Sequence, residues 1–264
     1  MSTPRNAARR LESDPRLRTL AKAGYAATGL VHVMLGALVL AVAFGGDGDA
    51  DQSGAFRALA GTPAGLVTLW AVALALLALA LWHAVAAFAG AGEKSTGSRR
   101  LSEAGQALAF AVLGVIAIVV AVGGRSDGDE SVKETSSGLL SIPGGPFILG
   151  AVGVGVLVAG IAFGVIGGRR SFRKKLSVPG GGMGTLVVTL GVVGYVAKGV
   201  SLATVGVLLG VAAIRVDPRE AGGLDGAVRA LLELPAGPLI AIAVGGGLIA
   251  YGLFCLFRAR YARL

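Results

Sequence analysis

Three observations predict an all-α integral membrane protein with six transmembrane helices, built as three tandem two-helix repeats in a pseudo-threefold bundle. Hydrophobic residues make up 54% of the 264-residue chain and charged residues 15%, with a mean hydropathy of +0.76, a balance that a soluble domain does not reach. Six apolar stretches, at about 24–45, 64–90, 104–123, 146–167, 186–214 and 238–257, meet the roughly 20 residues that a spanning helix needs. The same order of features then recurs three times: a glycine opening an apolar run, an acidic loop with a short helical segment, and a proline introducing a second apolar run. Internal self-similarity of this kind is first of all information about fold.

The elements follow in order. A basic tail occupies 1–19, and the repeats occupy 20–92, 93–175 and 176–264. The first run opens on Gly24, Tyr25 and Gly29, matched in the third repeat by Gly194, Tyr195 and Gly199; Gly105 is the weaker middle copy. Ala41, Val42 and Ala43 have the spacing of a signal-peptide cleavage site, but the run is longer than a signal core and its opening motif recurs far inside the chain, so it reads as a retained span. In the loops, Gly54, Arg57 and Leu59 match Gly226, Arg229 and Leu231, with Asp51 or Ser53 expected to cap the first short helix and Asp225 the third. Pro63, Pro143 and Pro235 introduce the second runs, which reach an aromatic at Trp82, Phe163 and Phe254. Backbone groups in hydrocarbon must pair within the segment, and nothing alternates as barrel strands do, so every run is helical. Glycine ladders at Gly160, Gly164 and Gly168, and at Gly206 and Gly210, are expected to let the helices approach closely. The segment Pro179 to Gly184 lacks the strand before it and the Lys-Ser/Thr after it that a phosphate loop requires, and it reads as a flexible joint.

Charge sets the orientation. Arg5, Arg9, Arg10, Arg16, Arg18 and Lys22 crowd the first tail; Lys94, Arg99 and Arg100, then Arg169, Arg170, Arg173, Lys174 and Lys175, then Arg258, Arg260 and Arg263 lie on the same side. The opposite loops carry most of the acid, including Asp49, Glu130 and Asp217. Positive loops stay inside, so both termini are expected in the cytoplasm, with the chain multi-pass in the membrane. The net charge of +9 is thereby assigned to insertion and to anionic lipid headgroups at the cytoplasmic face, and no nucleic-acid partner is expected. The lone Cys255 sits in an apolar run and has no cysteine to pair with, so it reads as a packing residue.

The residues with a claim on function are the ionisable ones inside the spans, since such groups are costly there and mark interiors or water paths. They are His32, His83 and Lys198, all placed within about 12 Å of the cytoplasmic face by the rise per residue, with Tyr25, Tyr195 and Gln106 at similar depth. A shared polar pocket would suit proton or anion chemistry, because imidazole titrates near neutrality. As packing groups, each histidine needs one neighbouring partner and Lys198 snorkels to the headgroups. Outside, Asp47, Asp49 and Asp51 begin like a calcium loop, but Gln52 and Ala58 stand where its glycine and closing glutamate belong, leaving at most a weak cation site. No catalytic constellation and no cofactor motif is present. Three functions remain: a structural or partner-binding membrane component, for which an unknown membrane protein is the partner; a small-solute, ion or proton-coupled carrier or channel; and, third, an enzyme, for which no nucleophile with a base and no paired carboxylates stand at membrane depth.

The Gly24-Tyr25 opening, the loop from Asp51 to Leu59, the Pro63-x-Gly65 that follows and the aromatic late in the second helix resemble the domain of unknown function 1206 family. The likeness runs from about Leu20 to the end of the chain. It implies three tandem two-helix repeats in a bacterial membrane, and it implies no reaction. The family usually has arginine at the place of Thr28, where this chain keeps a basic residue only at Lys198.

Overall fold

The computed structural model describes residues 15–46, 48–89, 97–124, 127–177 and 180–261. Among the described residues nine α-helices follow one another: α1 (Pro15–Ala43), α2 (Gln52–Ala60), α3 (Pro63–Ala89), α4 (Gly97–Ala121), α5 (Gly128–Leu140), α6 (Gly145–Gly168), α7 (Gly181–Arg215), α8 (Leu224–Leu232) and α9 (Gly237–Tyr261). Short 3-10 turns occupy Ser171–Lys175 and Pro218–Glu220. Six helices are long and apolar enough to cross a membrane: α1, α3, α4, α6, α7 and α9. The three short ones, α2, α5 and α8, each link the two spans of one repeat on the face away from the chain termini.

The links are built alike. Each short helix ends a few residues before a Pro-x-Gly step, at Pro63-Ala64-Gly65, Pro143-Gly144-Gly145 and Pro235-Ala236-Gly237. The middle residue takes a left-handed conformation at Gly144 (φ 81°) and Ala236 (φ 60°). In all three the glycine lies so close beneath the preceding short helix that a Cβ would collide with the carbonyl oxygen of Leu59, Leu139 or Leu232. Pro63 opens α3, and Pro146 and Pro238 stand at the second residue of α6 and α9, where a missing N–H costs nothing.

The spans pack in the order α4, α3, α1, α9, α7, α6. Every junction between repeats is therefore a second helix against the next first helix: α3 on α4, α6 on α7, α9 on α1. Two of these junctions are glycine-tight. A Cβ on Gly29 would lie 2.8 Å from the Gly252 carbonyl oxygen, and one on Gly36 2.5 Å from that of Gly245, between α1 and α9. Between α6 and α7, a Cβ on Gly199 would lie 2.7 Å from the Gly160 oxygen and one on Gly206 2.8 Å from that of Gly153. Backbones at this separation gain dispersion contacts that larger side chains would forbid. Of the expected ladder positions, Gly164, Gly168 and Gly210 would carry a Cβ into open space among the described residues. At the third junction Leu77 fills the place opposite Gly114.

Within repeats the pattern breaks once. Gly24 lets α1 close on α3, where a Cβ would meet Leu79 Cβ at 2.5 Å, and Gly194 lets α7 close on α9, meeting Tyr251 Cα at 2.5 Å. Their counterpart Gly105 meets nothing within 4 Å, because α4 and α6 do not pack against each other. Only 17% of the most apolar stretch of each of these two helices is buried, against 56% in α9. The ring of six spans is thus open along one seam, between the two halves of the middle repeat.

Observed boundaries shift from expectation in two informative places. Residues Gly181–Gly184 form the first turn of α7 instead of a flexible joint. The α7 span is 35 residues long, so it begins below the apolar run that hydropathy detects.

Candidate functional site

The polar residues singled out within the spans do not converge on one pocket. His32 lies at the meeting of α1, α7 and α9. Its Nδ1 is 2.8 Å from the Thr28 carbonyl oxygen, its Nε2 is 3.4 Å from Lys198 Nζ, and its ring packs on Tyr251 with centroids 4.7 Å apart. A carbonyl oxygen only accepts, so Nδ1 carries the proton and Nε2 is left to accept from the lysine. The Lys198 ammonium is further enclosed by the rings of Tyr251 and Phe163, at 4.6 and 5.1 Å from their centroids, a contact that favours a cation. Lys198 therefore does not snorkel. It stands 17 residues into α7, about 26 Å of helix from Gly181.

Tyr195 belongs to an aromatic cluster below this pair. It stacks on Phe172, with centroids 5.2 Å apart, and meets Tyr251 and Phe254 edge-on. Phe172 comes from the 3-10 turn after α6 and fastens that turn to the bundle. Tyr25 accepts a hydrogen bond from Arg258 Nη2 at 3.1 Å, and the guanidinium lies 4.2 Å over its ring. Among the described residues Gln106 bonds within α4, to the Ser102 carbonyl and hydroxyl oxygens. His83 sits at another junction altogether, between α3 and α4, where Nδ1 is 2.7 Å from Glu103 Oε2 and the ring stacks on Phe110. Its Nε2 is buried with no hydrogen-bond partner among the described residues.

Two partners in this arrangement, Glu103 and Arg258, escape a hydropathy reading for one reason. Each lies a single residue outside the apolar run, at 104–123 and 238–257, yet inside the helix that extends it. Aromatic Tyr251 looks like packing from sequence, and only the fold brings it over the lysine.

On the opposite face the acidic loops form a cycle. Asp51 caps α2 by accepting from the Gly54 N–H at 2.7 Å, and its other oxygen accepts from the N–H of Gly128, the first residue of α5, at 2.9 Å. Asp129 of α5 accepts from the N–H groups of Gly223 and Gly226 at the start of α8, at 2.8 and 3.0 Å. Asp225 of α8 accepts from the Ala50 N–H at 2.9 Å, just before α2. Repeat one thus holds repeat two, two holds three, and three holds one. Three of the four receiving residues are glycines, and a Cβ on Gly128 would collide with the Asp51 carboxylate. Asp225 is not the expected cap of α8, since Gly223 occupies that place; it reaches across to repeat one and pairs with Arg229 Nε at 2.6 Å. That pair raises the Arg229 pKa, while burial lifts the Asp51 carboxyl above its usual range despite the two N–H bonds.

The cation reading of this loop meets these partners directly. Both Asp51 oxygens face N–H donors, and Asp49 pairs with the Arg57 guanidinium; Asp47 lies outside the described residues. Among the described residues no group of three or more His, Cys, Asp or Glu is placed to hold a metal ion.

Comparison with known proteins agrees with the threefold build. A family model described as Domain of Unknown Function (DUF1206) matches three times, over residues 23–90, 102–170 and 193–262. A curated protein of Bacillus subtilis (strain 168), described as uncharacterized protein YxxB, is 28% identical over 259 residues, covering 96% of this chain and 94% of that protein. No solved structure matches the chain.

Proposed function

The chain belongs to the DUF1206 family, whose unit it carries three times, and from that premise we propose that it is a partner-binding component of the bacterial plasma membrane with no catalytic chemistry of its own. The observation that carries this reading is the seam. In repeats one and three the two spans close on each other over Gly24 and Gly194, whereas Gly105 keeps the small residue and lacks the neighbour. Around it α4 presents a lipid-facing stripe through Leu101, Leu108, Val112, Val115 and Val119, and α6 presents Phe147, Val154, Val158, Ile161 and Val165. Both stripes step by seven, four, three and four residues along one helix face, the spacing with which a further helix interdigitates. The partner we assign to the seam is a transmembrane helix of another chain.

A photo-crosslinking residue placed at Leu108 or Val158 in native membranes is expected to yield one and the same protein adduct, while a control at Leu253 on α9 yields none. Adducts of equal intensity at all three positions, or with lipid alone, would overturn the reading. A carrier is the rival, and the buried, unpartnered Nε2 of His83 beside Glu103 is what favours it, since a carboxylate–imidazole pair inside a membrane can bind and release a proton. Proton flux into dye-loaded proteoliposomes that is abolished by His83→Ala would decide for the carrier.

The orientation we propose puts both termini, and the arginines after α6, in the cytoplasm. Single cysteines at Asp49, Glu130 and Asp217 are expected to react with an impermeant maleimide on intact cells, and cysteines at Arg99 and Lys174 only after lysis. The reverse pattern would invert the topology.

A further inference from the structure

A cavity of about 430 Å³ opens on the terminus-bearing face between the turn after α6 and the first turns of α7. Its outer part is lined by Arg170, Arg173, Gly181 and Thr185, and its inner part by Val188, Val192 and Val193 with one hydroxyl, that of Thr189. The lining spans the helix from Gly181 to Val193, 12 residues or about 18 Å, so one end lies at headgroup level and the other well into hydrocarbon.

Three features make the outer end a place for an anion. Neither Arg170 nor Arg173 has a carboxylate within ion-pair reach among the described residues. The start of α7 has no side-chain cap on its free N–H groups, whose dipole adds to the arginine charge. The backbone that carries the two exposed arginines is also held in place. Arg170 takes a left-handed conformation (φ 53°) that turns the chain sharply out of α6, and buried Phe172 and Leu176 pin the segment on either side of Arg173. The Ser177 N–H bonds to the Tyr261 carbonyl oxygen at 2.9 Å and ties the same segment to α9.

A free phosphate would use only the outer end. The apolar inner end is continuous with it, and a molecule with a phosphate at one end and a hydrocarbon chain at the other matches both. We propose that this groove is a binding site for one anionic phospholipid, its phosphate between Arg170 and Arg173 and an acyl chain along Val188 and Val192. The proposal is independent of what occupies the seam between α4 and α6.

The test is thermal unfolding of the full chain purified in a neutral detergent, with dioleoylphosphatidylglycerol, dioleoylphosphatidylcholine or inorganic phosphate added. Phosphatidylglycerol at a hundredfold excess over its Kd is expected to raise Tm by roughly 5–10 °C, and the other two are expected to leave it unchanged. The Arg170→Gln/Arg173→Gln protein is expected to lose the shift. A charge-matched Arg100→Gln/Arg260→Gln protein is expected to keep it. Val193→Trp, at a half-exposed position on the groove wall, is expected to lose the shift with both arginines intact, which keeps the test decisive if the double variant fails to fold. An equal shift with phosphatidylcholine, an equal shift with inorganic phosphate alone, or a shift that survives in both groove variants would overturn the proposal.

Discussion

Gly36→Leu is expected to strain the docking of α1 on α9 and to lower the melting temperature sharply, whereas Gly105→Leu is expected to fold and melt as the wild type does. A Cβ on Gly36 already falls 2.5 Å from the Gly245 carbonyl oxygen and 2.8 Å from the Ile249 backbone nitrogen. Those atoms belong to a helix backbone and cannot rotate away as a side-chain tip can, so the whole interface must separate. Overpacking a close contact costs about 1–3 kcal/mol and occasionally more. At a backbone-on-backbone crossing we expect the upper end or beyond, lowering Tm by roughly 6–12 °C for a chain of this size. The same substitution at Gly105 adds a side chain where nothing lies within 4 Å. Fluorescence-detected size exclusion and a melting curve on both variants check the contrast. Equal damage from both would mean that the seam is closed in the membrane. Gly105→Leu also fills the proposed seat of the partner helix, so it should weaken the crosslinks at Leu108 and Val158 while leaving the fold intact.

Asp51→Ala is expected to open the ring of short helices. It removes the acceptors of two N–H groups, Gly54 within repeat one and Gly128 across to repeat two. An N–H left buried without a partner costs about 1–3 kcal/mol, so the loss should lie near 2–5 kcal/mol for the pair. Asp51→Asn keeps one acceptor oxygen and turns an amide donor toward the other N–H, and its loss should fall between alanine and wild type. The pH dependence has a definite sign. Because burial raises the Asp51 pKa in the folded protein, its linkage contribution is fully present below the unfolded value of about 3.9 and is lost as pH rises through the folded one. Mild acid therefore does not release this link. Melting curves of wild type and Asp51→Ala across pH 4 to 8 check both statements, and a wild-type protein that loses stability on acidification faster than the variant would contradict the second.

The cycle of Asp51, Asp129 and Asp225 also explains how a diverged middle repeat stays in the assembly. Repeat two has no tyrosine at the position of Tyr25 and Tyr195, and Gln106 stands there bonded to its own helix. Its two spans are held by their neighbours, α4 by α3 and α6 by α7, and its short helix is capped from repeat one and caps repeat three. The middle unit is therefore supported from both sides and does not need its own internal contact.

Six apolar runs, the acidic loops between them and the prolines at Pro63, Pro143 and Pro235 were legible in the chain because they are local. A span is set by hydrocarbon thickness, and a capping aspartate such as Asp51 or a proline at a helix start acts within a few residues of itself. The same locality explains the misses. Where the apolar run stopped, the helix did not, so Glu103 and Arg258 fell outside the reading. Periodicity names a residue's face and not the neighbour that face will meet. Only the tertiary structure separated His83 from His32, set Tyr251 over Lys198, carried Asp225 across to Ala50, and left Gly105 facing open space. Those outcomes depend on which helix lies beside which, and in hydrocarbon that choice is made by close backbone packing at glycines and by a few polar bonds between distant segments, neither of which any one stretch of sequence contains.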